Sequence, residues 1–402
     1  MIIEPAHRTA SVREYYFSRK NRELAALAKE RPDGIVNLGI GAPDQVPPRS
    51  AMETLSRTCL LPDVHRYQNY TGIPELREAF AAWYKRYYGV TLDPVSEIQP
   101  LVGSKEGILL ISLAYLNKGD KVLVPDPGYP TYNSSAMLAE AEMVTYPLKR
   151  ENGWRPDLDA LRKMDLTGVK LMWVNYPNMP TGALATPELY QELVDFGLEK
   201  KILIVNDNPY SFILTEPLSI FSARGARECC LELNSLSKAH NMSGWRIGMV
   251  AGAAEYVSEI LKVKSQMDSG QFRPMQLAAV AALNEGPDWF ERLNAEYRRR
   301  KEAAGKLFDL LGIEWDRDGG SLFIWGYIPE DCALAAEGPG ATRGERLSDA
   351  LLYGCGVFMT PGVVFGKGGA DYIRASLCAD VPRLEEAYLR IKRLDRRTSS
   401  PA

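Results

Sequence analysis

The chain has 402 residues, of which 46% are hydrophobic and 25% charged, and its formal net charge is −3 at pH 7. This apolar content suffices for a large buried core, and the length favours one large domain with a smaller one. The charge balance does not indicate nucleic-acid binding, and no apolar run reaches the roughly 18–20 residues that a membrane span requires.

Cysteine and histidine usage indicates a reduced protein without a metal centre. The six cysteines form no C-x-x-C pair, and the three histidines lie far apart in the sequence. A chain of this size does not need disulfides to fold. The first thirty residues mix arginine with glutamate and lack a central apolar stretch, so we expect no signal peptide and a cytoplasmic location.

The predicted elements begin with an arm and continue into alternating strands and helices. Residues 1–33 carry a helical apolar stripe, and a later helix begins near Pro74, since proline is favoured in the first turn. From about residue 98 to 252, short apolar runs alternate with helical stretches. Their unbroken apolar character is typical of strands buried on both faces. The predicted strands are Val122–Val124, Leu171–Val174, Ile202–Val205, Cys230–Leu233 and Ile247–Ala251.

This alternation predicts an α/β fold in which a mostly parallel sheet lies between two layers of helices. A long amphipathic helix over residues 290–311, which ends at Gly312, leads into a smaller α+β domain. We assign residues 1–50 to the arm and part of the small domain, 51–285 to the large domain and 286–402 to the C-terminal small domain. Residues 331–344 are predicted to form a loop insertion.

Polar and aromatic residues follow several predicted strands. In an open α/β sheet, ligands bind in the crevice beyond the carboxyl ends of the strands. Residues 103–105 open a helix whose free N–H groups suit an anion, and Tyr129 suits stacking on a flat heterocycle. Asp207 and Tyr210 follow another strand, where a buried carboxylate needs a partner such as a protonated pyridine nitrogen. Taken singly, these segments are more typical of an ordinary turn or packing residue.

The string SLSKAHNMSGWRIG, over residues 235–248, is the most specific feature. Lys238 follows a strand, is flanked by hydroxyl residues, and precedes Arg246 by eight positions. A lysine amine attacks a carbonyl only when neutral, and bringing its pKa from about 10.4 to near 7 costs roughly 4–5 kcal/mol. A partly desolvated pocket beside a second cation supplies such a shift, and an arginine fork suits a phosphate. The string therefore favours a Schiff-base lysine over a surface loop lysine.

Five motifs, in order and at matching spacing over residues 30–392, resemble those of one known superfamily. They are similar to the fold-type-I pyridoxal-phosphate aminotransferases of the aspartate aminotransferase superfamily (class I/II). Within it, the chain is most similar to the branch that contains LL-diaminopimelate aminotransferases. The resemblance implies pyridoxal 5′-phosphate as the cofactor and a homodimer with active sites at the interface. It also implies that Lys238 forms the internal aldimine and moves the proton between Cα and C4′.

The resemblance implies a role for each matching residue. Asp207 would keep the pyridine nitrogen protonated, Tyr210 would hydrogen-bond the phenolic oxygen of the ring, and Tyr129 would stack on it. Arg374 would grip the substrate α-carboxylate beside the backbone of Gly41. The residues implied to hold the cofactor phosphate are Gly103, Ser104, Lys105, Ser235, Ser237, Arg246 and, from the other subunit of the dimer, Tyr67.

One string departs from the family pattern. The family has Asn-Pro-Thr-Gly after the middle strand, and that asparagine also hydrogen-bonds the phenolic oxygen, whereas residues 175–182 here read NYPNMPTG. Met179 stands in the asparagine's place, and a thioether is not a donor. Asn178, one position earlier, replaces the lost donor only if the backbone is shifted. A lost hydrogen bond to an ionised group costs roughly 1.5–3 kcal/mol.

The cofactor motifs leave the reaction type open. The same scaffold serves lyases and decarboxylases, and a non-catalytic cofactor-binding or sensor protein is a further alternative. We favour an aminotransferase that moves an amino group from an L-amino acid to a 2-oxo acid by a ping-pong mechanism. Lys238, Asp207, Arg246 and Arg374 are all present, which disfavours the non-catalytic alternative.

The substrate side chain is also left open. Diaminopimelate, aspartate, glutamate and alanine all remain possible, and the branch resemblance favours diaminopimelate or another charged side chain. Lys264, Gln271 and Arg273 precede or begin a predicted helix and are candidates to meet a distal carboxylate. Each of the three equally fits an ordinary surface residue.

Overall fold

The computed structural model describes residues 2–398. In this range the strands, in chain order, are β1 (Val36–Asn37), β2 (Ile98–Leu101), β3 (Lys121–Asp126), β4 (Glu142–Pro147), β5 (Val169–Val174), β6 (Leu203–Asp207), β7 (Cys230–Ser235), β8 (Gly248–Gly252), β9 (Glu314–Trp315), β10 (Phe323–Tyr327), β11 (Val357–Phe358), β12 (Thr360–Pro361) and β13 (Tyr372–Ser376). The α-helices are α1 (His7–Ala10), α2 (Tyr16–Glu30), α3 (Arg49–Thr58), α4 (Pro74–Tyr88), α5 (Ser104–Tyr115), α6 (Pro130–Leu138), α7 (Leu158–Arg162), α8 (Pro187–Lys200), α9 (Ala226–Cys229), α10 (Ala254–Lys264), α11 (Arg273–Leu283), α12 (Pro287–Leu310), α13 (Arg343–Cys355) and α14 (Val381–Thr398). Within residues 2–398, no helix is long and apolar enough to cross a membrane.

A seven-stranded sheet forms the central layer, in the order β2-β8-β7-β6-β5-β3-β4. Neighbouring strands pair in parallel except β8, which is antiparallel to both β2 and β7. Every residue of β6, β7 and β8 is buried, because helices cover both faces of the sheet. The five strands predicted from apolar runs all lie in this sheet, which confirms the predicted α/β class.

The two outer strands, β2 and β4, were not predicted from the sequence, and their composition explains why. β2 contains Gln99 and Pro100, and β4 is mostly exposed. An edge strand pairs on one side only, so it tolerates proline and needs no continuous apolar run. Apolar runs therefore identify the centre of such a sheet better than its edges.

A smaller antiparallel sheet, in the order β12-β13-β10-β9, forms a second unit with the long helix α12 and with α13 and α14. Residues 290–311 were predicted to be helical, and α12 covers nearly all of that range. The first residues of the fold join this unit, since β1 pairs in parallel with β11. The domain boundaries at residues 50 and 285 stay a prediction.

Local sequence signals set several helix ends. Pro74 occupies the first turn of α4, as predicted, and Gly89 closes that helix in the left-handed conformation. The predicted loop insertion ends where a capping box between Thr342 and Glu345 starts α13. The arm helix α2 packs through Leu24 onto residues near β11, which places the start of this helix beside the site described next.

Candidate active site

A cavity of about 390 Å³ opens at the carboxyl edge of the seven-stranded sheet. β2, β3, β5, β6 and β7 all end at this edge, and β8 starts there, so residues far apart in sequence converge. Among the predicted site residues, those that line the cavity are Gly41, Ser104, Lys105, Tyr129, Asp207, Tyr210, Ser235, Ser237, Lys238, Arg246 and Arg374.

Lys238 lies three residues beyond the end of β7. Its ammonium nitrogen donates to the carbonyl oxygen of Gly41 at 2.5 Å. Burial lowers the pKa of Lys238, the neighbouring Cys378 opposes that change, and the positive charges of Arg374 and Arg246 add to the lowering. Burial and the two neighbouring cations therefore ease the loss of the ammonium proton, which gives the nucleophilic form of the amine.

Asp207 ends β6 and has one carboxylate oxygen without a partner. Its Oδ2 accepts a hydrogen bond from the Tyr132 hydroxyl at 2.9 Å, whereas the buried Oδ1 has none. Burial raises the pKa of Asp207 to about 7, and the Tyr132 hydrogen bond opposes the rise. A buried oxygen of this kind calls for a donor. The sequence analysis missed Tyr132, although it follows Tyr129 by one helical turn, and that spacing could have indicated it.

Arg246 and three serines form an anion cradle beside the start of α5. The Arg246 guanidinium donates to the Ser237 hydroxyl at 3.4 Å, and the Ser235 hydroxyl lies 2.7 Å from that of Ser237. Gly103, with φ of +79°, lets the guanidinium approach, since a Cβ there would lie 2.1 Å from its Nη2. Ser104 begins α5, whose first N–H groups have no partner inside the helix. This set of donors suits a phosphate.

Arg374 is a buried cation on β13. Its Nη2 donates to the Gly39 carbonyl at 2.6 Å and its Nη1 to the Met179 sulfur at 3.2 Å, while Nε has no partner. Burial lowers the pKa of Arg374 to about 10, so it stays charged at neutral pH. Within residues 2–398, no carboxylate forms an ion pair with it. A desolvated guanidinium with a free donor suits a carboxylate ligand.

Three predicted cofactor ligands do not line the cavity: Gly103, which lies behind the Arg246 guanidinium, Asn178 and Tyr67. The Asn178 amide is used within its own turn, where it donates to the Asn175 carbonyl at 3.1 Å and accepts from the Thr181 hydroxyl at 2.7 Å. Asn178 therefore does not replace the missing asparagine, and its prediction as a ligand needs correction. Met179 does line the cavity, as its alignment implied. Tyr67 is 92% exposed and is not part of the cavity.

Several lining residues were not singled out from the sequence. Phe17 comes from the arm, whereas Phe323 and Phe365 come from the second unit of the fold. Tyr15, also in the arm, was noted only as part of a helical stripe, and the Lys105 ammonium lies 3.9 Å from the centre of its ring. None of these positions carries a local pattern that marks it as part of a site.

The groups in this cavity fit pyridoxal 5′-phosphate. The free oxygen of Asp207 suits a ring N–H, the cradle around Arg246 suits the phosphate, and Lys238 suits the aldehyde. Tyr210 and Tyr129 line the cavity between these groups. Together with the fold, this arrangement defines a pyridoxal-phosphate-dependent aminotransferase of fold type I.

The chain belongs to the aminotransferase class I and II family, whose model matches residues 33–391. The LL-diaminopimelate aminotransferase of Aquifex aeolicus is 40% identical over 383 residues, which cover 94% of this chain and 96% of that protein. The LL-diaminopimelate aminotransferase of Moorella thermoacetica is 36% identical over 395 residues and 98% of each chain. The apo structure of BacF from Bacillus subtilis has a TM-score of 0.91, with 32% identity over 100% of both chains.

Proposed function

We propose that this enzyme transfers the amino group of an L-amino acid to a 2-oxo acid through Lys238, as a homodimer in the cytoplasm. The single observation that carries the proposal is one cavity with three complementary groups: the Lys238 amine, the unpartnered Asp207 oxygen and the unpaired Arg374 guanidinium. Within residues 2–398 none of the three forms an ion pair with a group of opposite charge, and each matches one functional group of the cofactor or substrate. In the cytoplasm, the six cysteines would stay reduced.

Three groups of residues would bind the ring nitrogen, the ring and the phosphate of the cofactor. Asp207 would accept from the ring nitrogen and keep it protonated, with Tyr132 fixing the carboxylate. Tyr210 would donate to the phenolic oxygen, and Tyr129 would stack on the ring. The phosphate would lie among Gly103, Ser104, Lys105, Ser235, Ser237 and Arg246. When bound, pyridoxal phosphate supplies an electron sink for the carbanion at the substrate Cα.

Substrate binding would place the α-carboxylate on Arg374 and beside Gly41. The Nε and Nη groups of Arg374 offer the fork geometry that matches a carboxylate. The Lys238 amine lies 2.5 Å from the Gly41 carbonyl, beside this position. It would remove the proton from Cα and return it at C4′ as a general base and acid. One water would be consumed as the first 2-oxo acid forms, and it would be returned when a second 2-oxo acid takes up the amino group by the reverse steps.

The first test is an absorbance spectrum of the purified protein with added pyridoxal phosphate, repeated after single amino acids. We expect a Schiff-base band that is lost in Lys238→Ala and kept in Lys262→Ala, an exposed lysine on α10. One amino acid should convert the band to the pyridoxamine form. A band that no amino acid changes would contradict amino transfer, and the absence of any band would overturn the role of Lys238.

The homodimer part of the proposal places Tyr67 in the other subunit's site. Tyr67 is 92% exposed, and it lies in a segment with further exposed apolar residues, Leu60 and Tyr70 among them. Monomers rarely leave such residues together in water, and a second copy of the chain would cover them. A tyrosine hydroxyl that reaches the phosphate of the partner would then complete the anion cradle.

Subunit mixing tests this arrangement directly. Tyr67→Phe should raise the cofactor dissociation constant about 10- to 100-fold, since a hydrogen bond to an ionised group contributes roughly 1.5–3 kcal/mol. Tyr70→Phe, in the same segment, is the control. Heterodimers of Tyr67→Phe with Lys238→Ala should recover one tight site, because one site then combines an intact lysine with an intact tyrosine. No recovery on mixing would contradict a site shared between subunits.

A further inference from the structure

The cavity around Arg374 is walled by aromatic and apolar side chains. The rings of Phe323, Phe365 and Phe17 lie 4.0, 4.5 and 5.6 Å from the Arg374 guanidinium carbon. Ile40, Met179 and Tyr15 extend this lining. Phe323 and Phe365 are buried members of the core, so their positions are held by packing. The group that binds the α-carboxylate thus stands inside an aromatic enclosure.

The enclosure determines what surrounds the substrate side chain. The first side-chain atom of an amino acid is two bonds from the carboxylate carbon. A substrate anchored on Arg374 therefore has its side chain within reach of the Phe17, Phe323 and Phe365 rings, whose centres lie within 5.6 Å of the guanidinium. Contact with these rings removes apolar side-chain surface from water, which favours binding.

The candidate partners for a distal carboxylate are all engaged elsewhere. Lys264 is buried and pairs with Glu106 at 3.2 Å and Asp268 at 2.7 Å. The Gln271 amide donates to the Arg246 carbonyl at 2.8 Å, and Arg273 lies 3.4 Å from an Asp63 oxygen. None of the three lines the cavity. The expectation of a charged substrate side chain therefore finds no support in these residues.

The charged groups that line the cavity lie away from the space expected for the substrate side chain. Besides Arg374, these are Asp207, Lys238, Arg246 and Lys105. The first three face the cofactor in the proposed function. The Lys105 ammonium lies 3.9 Å from the centre of the Tyr15 ring, and Lys105 follows Ser104 in the first turn of α5, at the phosphate end of the cavity. Within one subunit, residues 2–398 therefore offer no further charged group on this cavity to pair with a second charge on the substrate, which would be desolvated.

We propose that the amino-acid substrate of this enzyme carries an uncharged, apolar side chain, and that a flat ring such as that of phenylalanine fits best. This inference rests on the proposed function, since it takes Arg374 as the α-carboxylate site. It differs from the substrate in the names of the Aquifex aeolicus and Moorella thermoacetica relatives. The product of the first half-reaction would be the matching 2-oxo acid, with the amino group retained on the cofactor.

The kinetic test uses the holoenzyme in single turnovers, followed by the loss of its Schiff-base absorbance. Phenylalanine and leucine are compared with glutamate, aspartate and LL-diaminopimelate. We expect kcat/KM for phenylalanine to exceed that for each charged amino acid about 100-fold, because the charged groups would lose water without a partner. Preference for glutamate or diaminopimelate would overturn the inference, leave amino transfer intact, and indicate a charged residue from the second subunit.

A binding test separates this inference from the catalytic proposal. Unreactive 3-phenylpropionate and glutarate, both carboxylates of similar length, are titrated into the holoenzyme by calorimetry. We expect 3-phenylpropionate to bind at least about tenfold more tightly. If no amino acid reacts but this preference holds, the proposed function fails while the apolar pocket stands. Equal or tighter binding of glutarate would overturn the apolar pocket whatever the activity.

A variant pair at Phe17 tests the enclosure itself. Phe17 is only half-buried in the arm, so its substitution leaves the core intact. Phe17→Lys places a cation beside the side-chain space and should shift the ratio of glutarate to 3-phenylpropionate affinity at least about tenfold toward glutarate. Phe17→Leu keeps the space apolar and should weaken 3-phenylpropionate without favouring glutarate. An unchanged ratio in Phe17→Lys would show that the side chain does not bind against this wall.

Discussion

Acid should destabilise this protein through one buried histidine, His240, which lies two residues beyond Lys238. The imidazole is fully buried between Trp83 and Phe290, and neither ring nitrogen has a hydrogen-bond partner. Burial lowers the pKa of His240 from 6.5 to about 3. In the unfolded chain His240 therefore binds a proton below pH 6.5, whereas in the folded chain it binds one only near pH 3. Stability present above pH 6.5 is lost as the pH falls through this window.

The magnitude follows from the two pKa values. At pH 4.5 the His240 imidazole is almost fully protonated in the unfolded state and almost unprotonated in the folded state. Each pH unit below 6.5 lowers the free energy of unfolding by about 1.4 kcal/mol, so the loss between pH 8 and pH 4.5 is about 3 kcal/mol. Near pH 3 the cost reaches about 5 kcal/mol. Phenylalanine fills a similar space without a titratable group, so His240→Phe should remove this loss.

Urea denaturation of the holoenzyme gives the free energy of unfolding at pH 8 and at pH 4.5. The change between the two pH values is then compared between the wild type and His240→Phe. Between the two pH values, the wild type should lose about 3 kcal/mol more than His240→Phe does. Phe290→Leu disturbs the same cluster without removing a proton site, and its effect should be the same at both pH values. If the wild type and His240→Phe lose equal stability, then His240 is protonated or hydrated in the folded state and this reasoning is wrong.

Three further predictions concern the site. Arg374→Lys should lower kcat/KM for the amino donor about 100-fold, since a lysine loses the fork that matches a carboxylate. Met179→Asn should lower the pKa of the Lys238 Schiff base, because the added donor stabilises the ionised phenolic oxygen; an absorbance titration measures this. Gly366→Ala should destabilise the enzyme by about 1–3 kcal/mol in urea, because Gly366 has φ of +134° and a Cβ would lie 2.1 Å from an Asp126 oxygen.

Two of these predictions have a matched control variant, and the third has an outcome that would contradict it. Gly168→Ala shares the positive φ, but no atom lies within 4 Å of the added Cβ, so it should cost less than the substitution at Gly366. Arg317→Lys alters an exposed arginine and should leave kcat/KM unchanged. A Schiff-base pKa that Met179→Asn does not move would show that the side chain at this position does not reach the ring.

The sequence by itself determined the central sheet and much of the site. Strands buried on both faces must be continuously apolar, so β3, β5, β6, β7 and β8 were readable as runs. Parallel strands end at one edge, so the residues that follow them were expected to converge. The cavity indeed contains Asp207, Lys238, Arg246 and Tyr129. Their chemistry depends on residue type and on position after a strand, and both are local properties.

Only the tertiary structure decided which groups remain free and what surrounds the substrate. The Asn178 amide forms its hydrogen bonds within its own turn, and the Tyr132 hydroxyl on α6 donates to Asp207 at the end of β6. The helical spacing from Tyr129 places Tyr132 on the same side of α6, but only the fold brings it to Asp207. Phe17 and Phe365 are separated by most of the chain, yet both face Arg374. A side chain's partners are set by three-dimensional competition among donors, acceptors and packing surfaces. The outcome of this competition cannot be predicted from the spacing of residues in the sequence.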